Sequence, residues 1–304
     1  MQGRKKPVIR ANAVHHIYQN TRRGHLIFYS VNDYLVLLSI VSLTAQKYGV
    51  QILGICMMPD HIHILVKIQE PRQLVCFVRD YTSLFTSKYN EYYHRKGSLM
   101  NPYGCAPKIG HKKIRTAIAY LYNNPVENHL AYQAEDDRWN LLAYAVDRYA
   151  FSDKLCMDYA RWILRKALYV VKDSNHCGRP LEYVEIERIT SDLSLRELRQ
   201  FADYVIWKYN PVDYKSLIEY YGSYEKMLIA INSNTGSEYD IKEDTFAKDH
   251  RIYRKMLRDM VTVQRWPSMK EALIAPESER KKMGIQLMRR LGATQKEVSK
   301  FLWL

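Results

Sequence analysis

Residues 57–66 read Met-Met-Pro-Asp-His-Ile-His-Ile-Leu-Val, and this stretch decides the fold that we expect. Side chains two residues apart on a β-strand point to the same face. His61, His63 and Leu65 therefore line one face, and the other face is an apolar row of Ile62, Ile64, Val66 and Ile68. The apolar row can pack against helices, while the two imidazoles stand side by side as nitrogen ligands of a metal ion do. Taken alone, such a pair more often makes only hydrogen bonds.

The sequence around this strand predicts the order strand, helix, strand, strand, helix, strand. Ser30 or Asn32 can cap the first helix at its start, and Gly49 can end it. The elements are expected over residues 15–20 with 25–29, 30–47, 50–58, 61–68, 71–95 and part of 97–107. This is the element order of a ferredoxin-like antiparallel sheet, with helices on one face and the other face free. We therefore expect an α+β domain.

A further helix is expected over residues 111–124, with its end set by Pro125. Residues three and four apart share a helix face. One such line runs through Lys113, Ala117, Tyr120 and Asn124. It places a phenol and a carboxamide one turn apart, whereas Tyr122 points elsewhere. The alternative interpretation is that Tyr120 is a core tyrosine and Asn124 a helix C-cap.

Two motifs carry a resemblance to a known family. The first motif is residues 59–66, and the second, about 60 residues later, reads Ala-Tyr-Leu-Tyr-Asn-Asn-Pro-Val at 119–126. Together they resemble the motifs of the single-tyrosine HUH transposases (IS200-like), in particular the REP-associated tyrosine transposases. The family motifs read Met-Pro-Asn-His-hydrophobic-His and Tyr-Ile-x-x-Asn-Pro-Val. Here Asp60 replaces the usual Asn, and Glu-Asn-His at 127–129 replaces the usual basic, small residues. The resemblance covers about residues 13–145.

The resemblance implies a role for each matching residue. His61 and His63 match the metal-binding pair, Tyr120 matches the nucleophile, and Asn124 takes the place of a third metal ligand. The family cuts and rejoins single-stranded DNA, often beside a hairpin. The implied activity is that of a metal-dependent endonuclease and strand transferase working through a 5′-phosphotyrosine, as in transposition or hairpin processing. Apart from the resemblance, the position of Lys113 on the Tyr120 face allows contact with a phosphate, and the alternative is a solvated surface lysine.

The chemistry of the step agrees with these residue types. A free tyrosine has a pKa of about 10, so it is a weak nucleophile at neutral pH. A divalent cation held by two imidazoles and one amide oxygen would keep positions open for a phosphate oxygen. Mg²⁺ or Mn²⁺ is the expected cofactor. Because the ester bond energy is conserved in the phosphotyrosine link, no external energy source is needed.

Charge is unevenly distributed along the 304 residues. The net formal charge is +14, with 19 Lys and Arg against 10 Asp and Glu in residues 1–150, 20 against 19 in 151–275, and 7 against 3 in 276–304. Basic ends and 25 tyrosines favour a nucleic-acid partner, because aromatic faces beside cations hold unpaired bases. The five scattered cysteines favour reduced thiols. With no signal peptide or membrane span expected, we predict a cytoplasmic, nucleoid-associated protein with no membrane partner.

Three segments are predicted from these patterns. Residues 1–150 form the HUH domain, 151–275 a helical domain, and 276–304 a helix-turn-helix DNA-binding tail. In that tail Gln295, Lys296 and Lys300 would face the major groove of duplex DNA. The alternative for the tail is a helical hairpin that closes the middle domain.

Two competing functions stay open at this point. The first is a non-catalytic DNA-binding regulator with a relic HUH fold. The second is a metal phosphoesterase that activates water on the histidine pair. The oligomeric state is also open, since a homodimer and a monomer both occur in the family.

Overall fold

A four-stranded antiparallel sheet organises the N-terminal part of the protein in a computed structural model, which describes residues 8–233 and 250–304. The strand order β2-β3-β1-β4 is that of a ferredoxin-like sheet. The elements are β1 (Ala13–Asn20), α1 (Val31–Tyr48), β2 (Gln51–Met58), β3 (His61–Ile68), α2 (Pro71–Tyr92), β4 (Gly104–Lys108) and α3 (His111–Glu127). The predicted α+β class and element order are confirmed.

The two faces of the sheet are covered by different helices. On one face, Tyr81 of α2 donates its hydroxyl to the side-chain oxygen of Gln19 in β1, at 2.9 Å. On the other face α3 lies so close to β2 that a Cβ added at Gly54 would be 3.0 Å from the hydroxyl of Tyr122. Gly54 pairs with Leu65, so α3 covers the face that carries the histidines of β3.

Helix α1 begins and ends at signals that the sequence displays. Ser30 is the N-cap, and with Asp33 it forms a capping box in which each side chain accepts from the other residue's backbone N–H. Gly49 ends the helix in the left-handed conformation, with φ of +61°. The structure thus selects Ser30 over Asn32 as the cap.

Two local predictions were wrong. Residues 25–29 form no strand, because the N–H of Leu26 donates to the carbonyl of Lys300 and that of Ile27 to the carbonyl of Pro59. Helix α3 also continues past Pro125 to Glu127. A proline removes one backbone donor, but the donors of the following residues still find carbonyls within the last turn.

The segment after residue 150 is all-helical among the described residues. Its helices are α4 (Trp162–His176), α5 (Tyr183–Thr190), α6 (Leu195–Tyr209), α7 (Tyr214–Glu219), α8 (Tyr224–Ser233), α9 (Arg251–Thr262), α10 (Met269–Ile274), α11 (Glu277–Leu291) and α12 (Gln295–Leu302). Val212 bridges to Ile52 of the edge strand β2, where the N–H of Asp213 donates to the Ile52 carbonyl. The predicted break at 234–237 lies outside the described residues. Within the described ranges, every helix is too short or too polar to cross a membrane.

The C-terminal helices α11 and α12 form a tight hairpin that docks on the N-terminal domain. Gly292 makes the turn with φ of +67°. A Cβ at Gly284 would lie 2.6 Å from Val298, so the two helices touch through this glycine. Tyr29 donates its hydroxyl to the carbonyl of Phe301, and the indole of Trp303 donates to the carbonyl of Leu26. The hairpin therefore closes on the sheet domain as well as on the helical segment.

Candidate active site

The two histidines of β3 stand next to each other on the face covered by α3. The rings of His61 and His63 are 4.9 Å apart between centroids and nearly perpendicular, at 89°. His61 Nδ1 lies 2.7 Å from Oδ1 of Asp60. A carboxylate accepts, so the proton on Nδ1 is donated to Asp60 and Nε2 keeps its lone pair. Such a carboxylate-histidine pair is typical of metal-binding imidazoles.

A third histidine, His16 of β1, orients His63. Its Nε2 lies 3.0 Å from Nδ1 of His63, and the two rings stack with centroids 5.1 Å apart. Burial and, secondarily, the charge of Lys108 lower the pKa of His16 to about 3. Burial is also the main cause that holds the pKa of His63 well below its usual value, followed by the neighbouring histidines. Both rings are therefore neutral near pH 7, which is the form that binds metal ions.

Tyr120 lies beside this histidine group and Tyr122 does not. The ring of Tyr120 is 5.7 Å from both His16 and His63, edge-on to each. The hydroxyl of Tyr122 instead donates to the carbonyl of Leu53 at 3.3 Å. Burial raises the pKa of Tyr122 well above its ordinary value. The helix-face argument for Tyr120 thus agrees with the placement of both tyrosines.

Asn124 is buried one turn after Tyr120. It is 4% exposed, and its Nδ2 donates to the carbonyl of Tyr120 at 2.9 Å. Since α3 ends at Glu127, Asn124 is not the C-cap. Its amide nitrogen is used within the helix, so Oδ1 is the atom that can act as a ligand. Among the described residues, no group of three or more His, Cys, Asp or Glu is arranged to hold a metal, so a carboxamide would have to complete the donor set.

Asp60 connects this site to the C-terminal part of the chain. Nε2 of His250 lies 3.8 Å from Oδ1 of Asp60, and Nζ of Lys300 lies 3.9 Å from Oδ2. The His250 and His61 rings are 6.3 Å apart. His250 is fully buried and Asp60 nearly so. The carboxylate that orients His61 therefore also faces two basic groups from far along the sequence.

The other predicted site residues are dispersed. Lys113 is exposed on α3, seven residues before Tyr120. Gln295 and Lys296 are exposed at the start of α12. Lys300 does not share their surface, because its side chain is 14% exposed and lies at Asp60. Groove contact through Gln295 and Lys296 stays a prediction, whereas Lys300 is placed in a contact within the protein.

Sequence reasoning missed His16 and His250. The sequence does contain a signal for His16, since it alternates with Tyr18 on a strand of the same predicted sheet. The contact between His16 and His63 depends on the register of β1 against β3, in which Tyr18 pairs with His63 and His16 pairs with Leu65. His250 had no signal, because almost 190 positions separate it from His61.

A comparison with protein families assigns the domain that carries these residues. The family model described as transposase, IS200-like, matches residues 10–124. We call residues 10–124, the segment that this model matches, the transposase domain. The match begins just before β1 and ends at Asn124. It therefore contains the histidine and tyrosine group, which we define as His16, Asp60, His61, His63, Tyr120 and Asn124, but not His250 or Lys300. The resemblance seen in the sequence is confirmed, and with it the expectation of a DNA-processing protein.

Among solved structures, one described as a REP-associated tyrosine transposase bound to a REP hairpin is similar to this chain. The similarity covers 53% of this chain and 95% of that chain, with 12% sequence identity and a TM-score of 0.39. These values do not extend the assignment beyond the transposase domain. No curated protein matches the chain.

Proposed function

We propose that the transposase domain is a metal-dependent, single-stranded DNA endonuclease and strand transferase in which Tyr120 is the nucleophile. The observation that carries this proposal is the edge-on placement of the Tyr120 ring, 5.7 Å from His63 and His16. The family match supports DNA as the substrate class, and the geometry supports Tyr120 as the nucleophile. The proposal extends the family assignment from DNA processing to a covalent mechanism.

The donor set fits a divalent cation. His61 and His63 would bind through Nε2, because their Nδ1 atoms face Asp60 and His16. For His63 this requires that its Nδ1 donates to Nε2 of His16. Asn124 would contribute Oδ1. When bound, Mg²⁺ or Mn²⁺ would offset negative charge at the scissile phosphate, and the mixed imidazole and amide donors favour Mn²⁺.

In the proposed reaction the phenol of Tyr120 loses its proton to solvent, and its oxygen attacks the phosphorus of a DNA phosphodiester. The bond between phosphorus and the 3′ oxygen breaks, and that oxygen leaves as a 3′-hydroxyl after taking up a proton. The downstream fragment stays on the enzyme, with its 5′ phosphate joined to Tyr120 as a phosphotyrosine. Attack by another 3′-hydroxyl reverses the step and rejoins the strand, with the phenol released.

The test uses hairpin-bearing single-stranded DNA with Mn²⁺, followed by a denaturing gel. With a 3′-end label we expect a covalent protein-DNA band, whereas a 5′-end label should appear on a shortened free strand. Tyr120→Phe should abolish the band. Tyr122→Phe is the matched control, because it removes a hydroxyl from the same helix without touching the histidines, and the band should remain.

Each competing function predicts a different pattern of cleavage products and covalent bands on the gel. Cleavage without a covalent band, and with Tyr120→Phe still active, would support a metal phosphoesterase that uses water. Binding without cleavage would support a non-catalytic regulator. A band that disappears in Tyr122→Phe but remains in Tyr120→Phe would show that the wrong tyrosine has been assigned.

A further inference from the structure

A cavity of about 320 Å³ lies between the turn after β1, the segment after α2 and the C-terminal hairpin. Its polar lining is basic, with arginines and histidines and no Asp or Glu among the described residues. The basic and aromatic lining residues are Arg23, His25, His94, Arg95, Arg280 and Trp303. None of them was singled out as a site residue by the sequence, and they belong to segments that are far apart in the chain.

Two buried polar atoms of residues that line this cavity have no hydrogen-bond partner among the residues that the structure describes. They are Nη1 of Arg95 and Nδ1 of His25. The Arg95 guanidinium lies over the ring of Trp303, with its central carbon 4.4 Å from the ring centroid. A buried donor without a partner is costly. An anion in the cavity would offset the positive charge of the Arg95 guanidinium.

Arg280 adds a positive charge, and its hydrogen-bond acceptors are uncharged, although the Glu277 carboxylate also interacts with it. Its Nη1 donates to the main-chain carbonyls of Leu302, at 2.6 Å, and Trp303, at 2.9 Å, and its Nε donates to that of Ala275. Carbonyls fix the guanidinium in place but carry no net charge. Burial, followed by the charges of Arg95 and other nearby cations, lowers the pKa of His25 to about 4. The cavity is thus a region of positive potential.

The cavity adjoins the candidate active site. The N–H of Thr21, at the start of the basic turn, donates to the carbonyl of Asp60 at 3.0 Å. A Cβ at Gly24 would lie 3.2 Å from Nζ of Lys300, and this Nζ is the group 3.9 Å from the Asp60 carboxylate. The chain that leads into the lining residue Arg23 is therefore hydrogen-bonded to the turn that precedes His61.

We propose that this cavity binds a backbone phosphate of single-stranded DNA and so forms part of the path of the strand that reaches Tyr120. Arginine is suited to this role, because its planar guanidinium donates two parallel hydrogen bonds to phosphate oxygens. The proposal rests on the proposed function for its ligand class, whereas its residues lie outside the histidine and tyrosine group.

The test measures DNA binding in a chelator, so that no cleavage occurs, by fluorescence anisotropy at several salt concentrations. Arg95→Gln should weaken binding about tenfold, the scale of one charge-assisted hydrogen bond. The slope of log affinity against log salt should become shallower by about 0.7, the value for one phosphate contact on a single strand. Arg95→Lys should keep the slope. The matched control is Arg165→Gln, an exposed arginine on α4, which should leave affinity and slope unchanged.

Arg23→Gln guards against a folding artefact, because Arg23 is exposed and its loss does not disturb Trp303. It should also weaken binding, with unchanged thermal unfolding. Unchanged affinity in both Arg95→Gln and Arg23→Gln would overturn the proposal. An equal loss in Arg165→Gln would also overturn it, because the effect would then be one of net charge alone.

Inorganic phosphate is the second probe. If it raises the unfolding temperature of the wild type while Arg95→Gln and Arg23→Gln bind DNA normally, the cavity takes free phosphate and the DNA proposal is wrong. The outcome is independent of the Tyr120 gel. A missing covalent band with weakened binding in Arg95→Gln would reject only the phosphotyrosine mechanism, and the reverse result would reject only the phosphate site.

Discussion

The contact between Asp60 and Lys300 should be a measurable link between the C-terminal helix α12 and the turn that precedes His61. The charged atoms are 3.9 Å apart, and the side chains are 5% and 14% exposed. At this separation two unit charges attract by about 4 kcal/mol when the effective dielectric constant is about 20. Desolvation offsets part of this attraction. We expect a net coupling energy of about 1–3 kcal/mol.

A double-mutant cycle with Asp60→Asn and Lys300→Met, followed by urea denaturation, isolates this coupling. Asparagine keeps an oxygen that can accept from Nδ1 of His61, so the cycle reports the charge pair. The control cycle is Glu277 with Lys281, an exposed pair one helical turn apart in α11. It should give a much smaller coupling, because solvent screens an exposed pair, although its charged atoms are closer, at 2.6 Å.

A coupling between Asp60 and Lys300 no larger than that of the control pair would refute this reasoning. It would mean that solvent or neighbouring groups screen the two charges as effectively as at the surface. The docking of α12 would then rest on its main-chain hydrogen bonds and on the buried side chains of Val298, Phe301 and Leu302.

Three further predictions follow from individual contacts. Gly104→Ala should destabilise the protein by about 1–3 kcal/mol in urea denaturation, because the added Cβ would lie 2.1 Å from the Tyr18 ring; an unchanged midpoint would contradict this close contact. Tyr122→Phe should cost about 1–2 kcal/mol, since it leaves the buried carbonyl of Leu53 without the hydroxyl donor, and a change below about 0.3 kcal/mol would count against that bond. The pKa of His25 is lowered to about 4, so the free energy of unfolding should fall as the pH falls from about 6.5 towards 4, where the unfolded chain binds the proton more readily. His25→Gln should make the free energy of unfolding less dependent on pH in this range. An NMR titration of His25 with a midpoint near pH 6.5 would disprove the shift.

The sequence by itself determined the parts of the site that lie within one element. Alternation on β3 put His61 and His63 on one face, and helical spacing put Tyr120 and Asn124 on one line. Local capping signals also marked the end of α1 at Gly49 and limited its start to Ser30 or Asn32. These predictions succeeded because strand and helix periodicities depend only on backbone geometry, which acts over a few residues.

Only the tertiary structure decided what surrounds these residues. The bond from His16 to His63 depends on the register between β1 and β3, which no single strand encodes. The contacts of Asp60 with His250 and Lys300 join segments 190 and 240 positions apart. This packing also decides which of these side chains are exposed and which are buried. For the same reason Lys300, expected at a DNA groove, lies against the transposase domain, because the apolar side of α12 is buried there and carries the lysine with it.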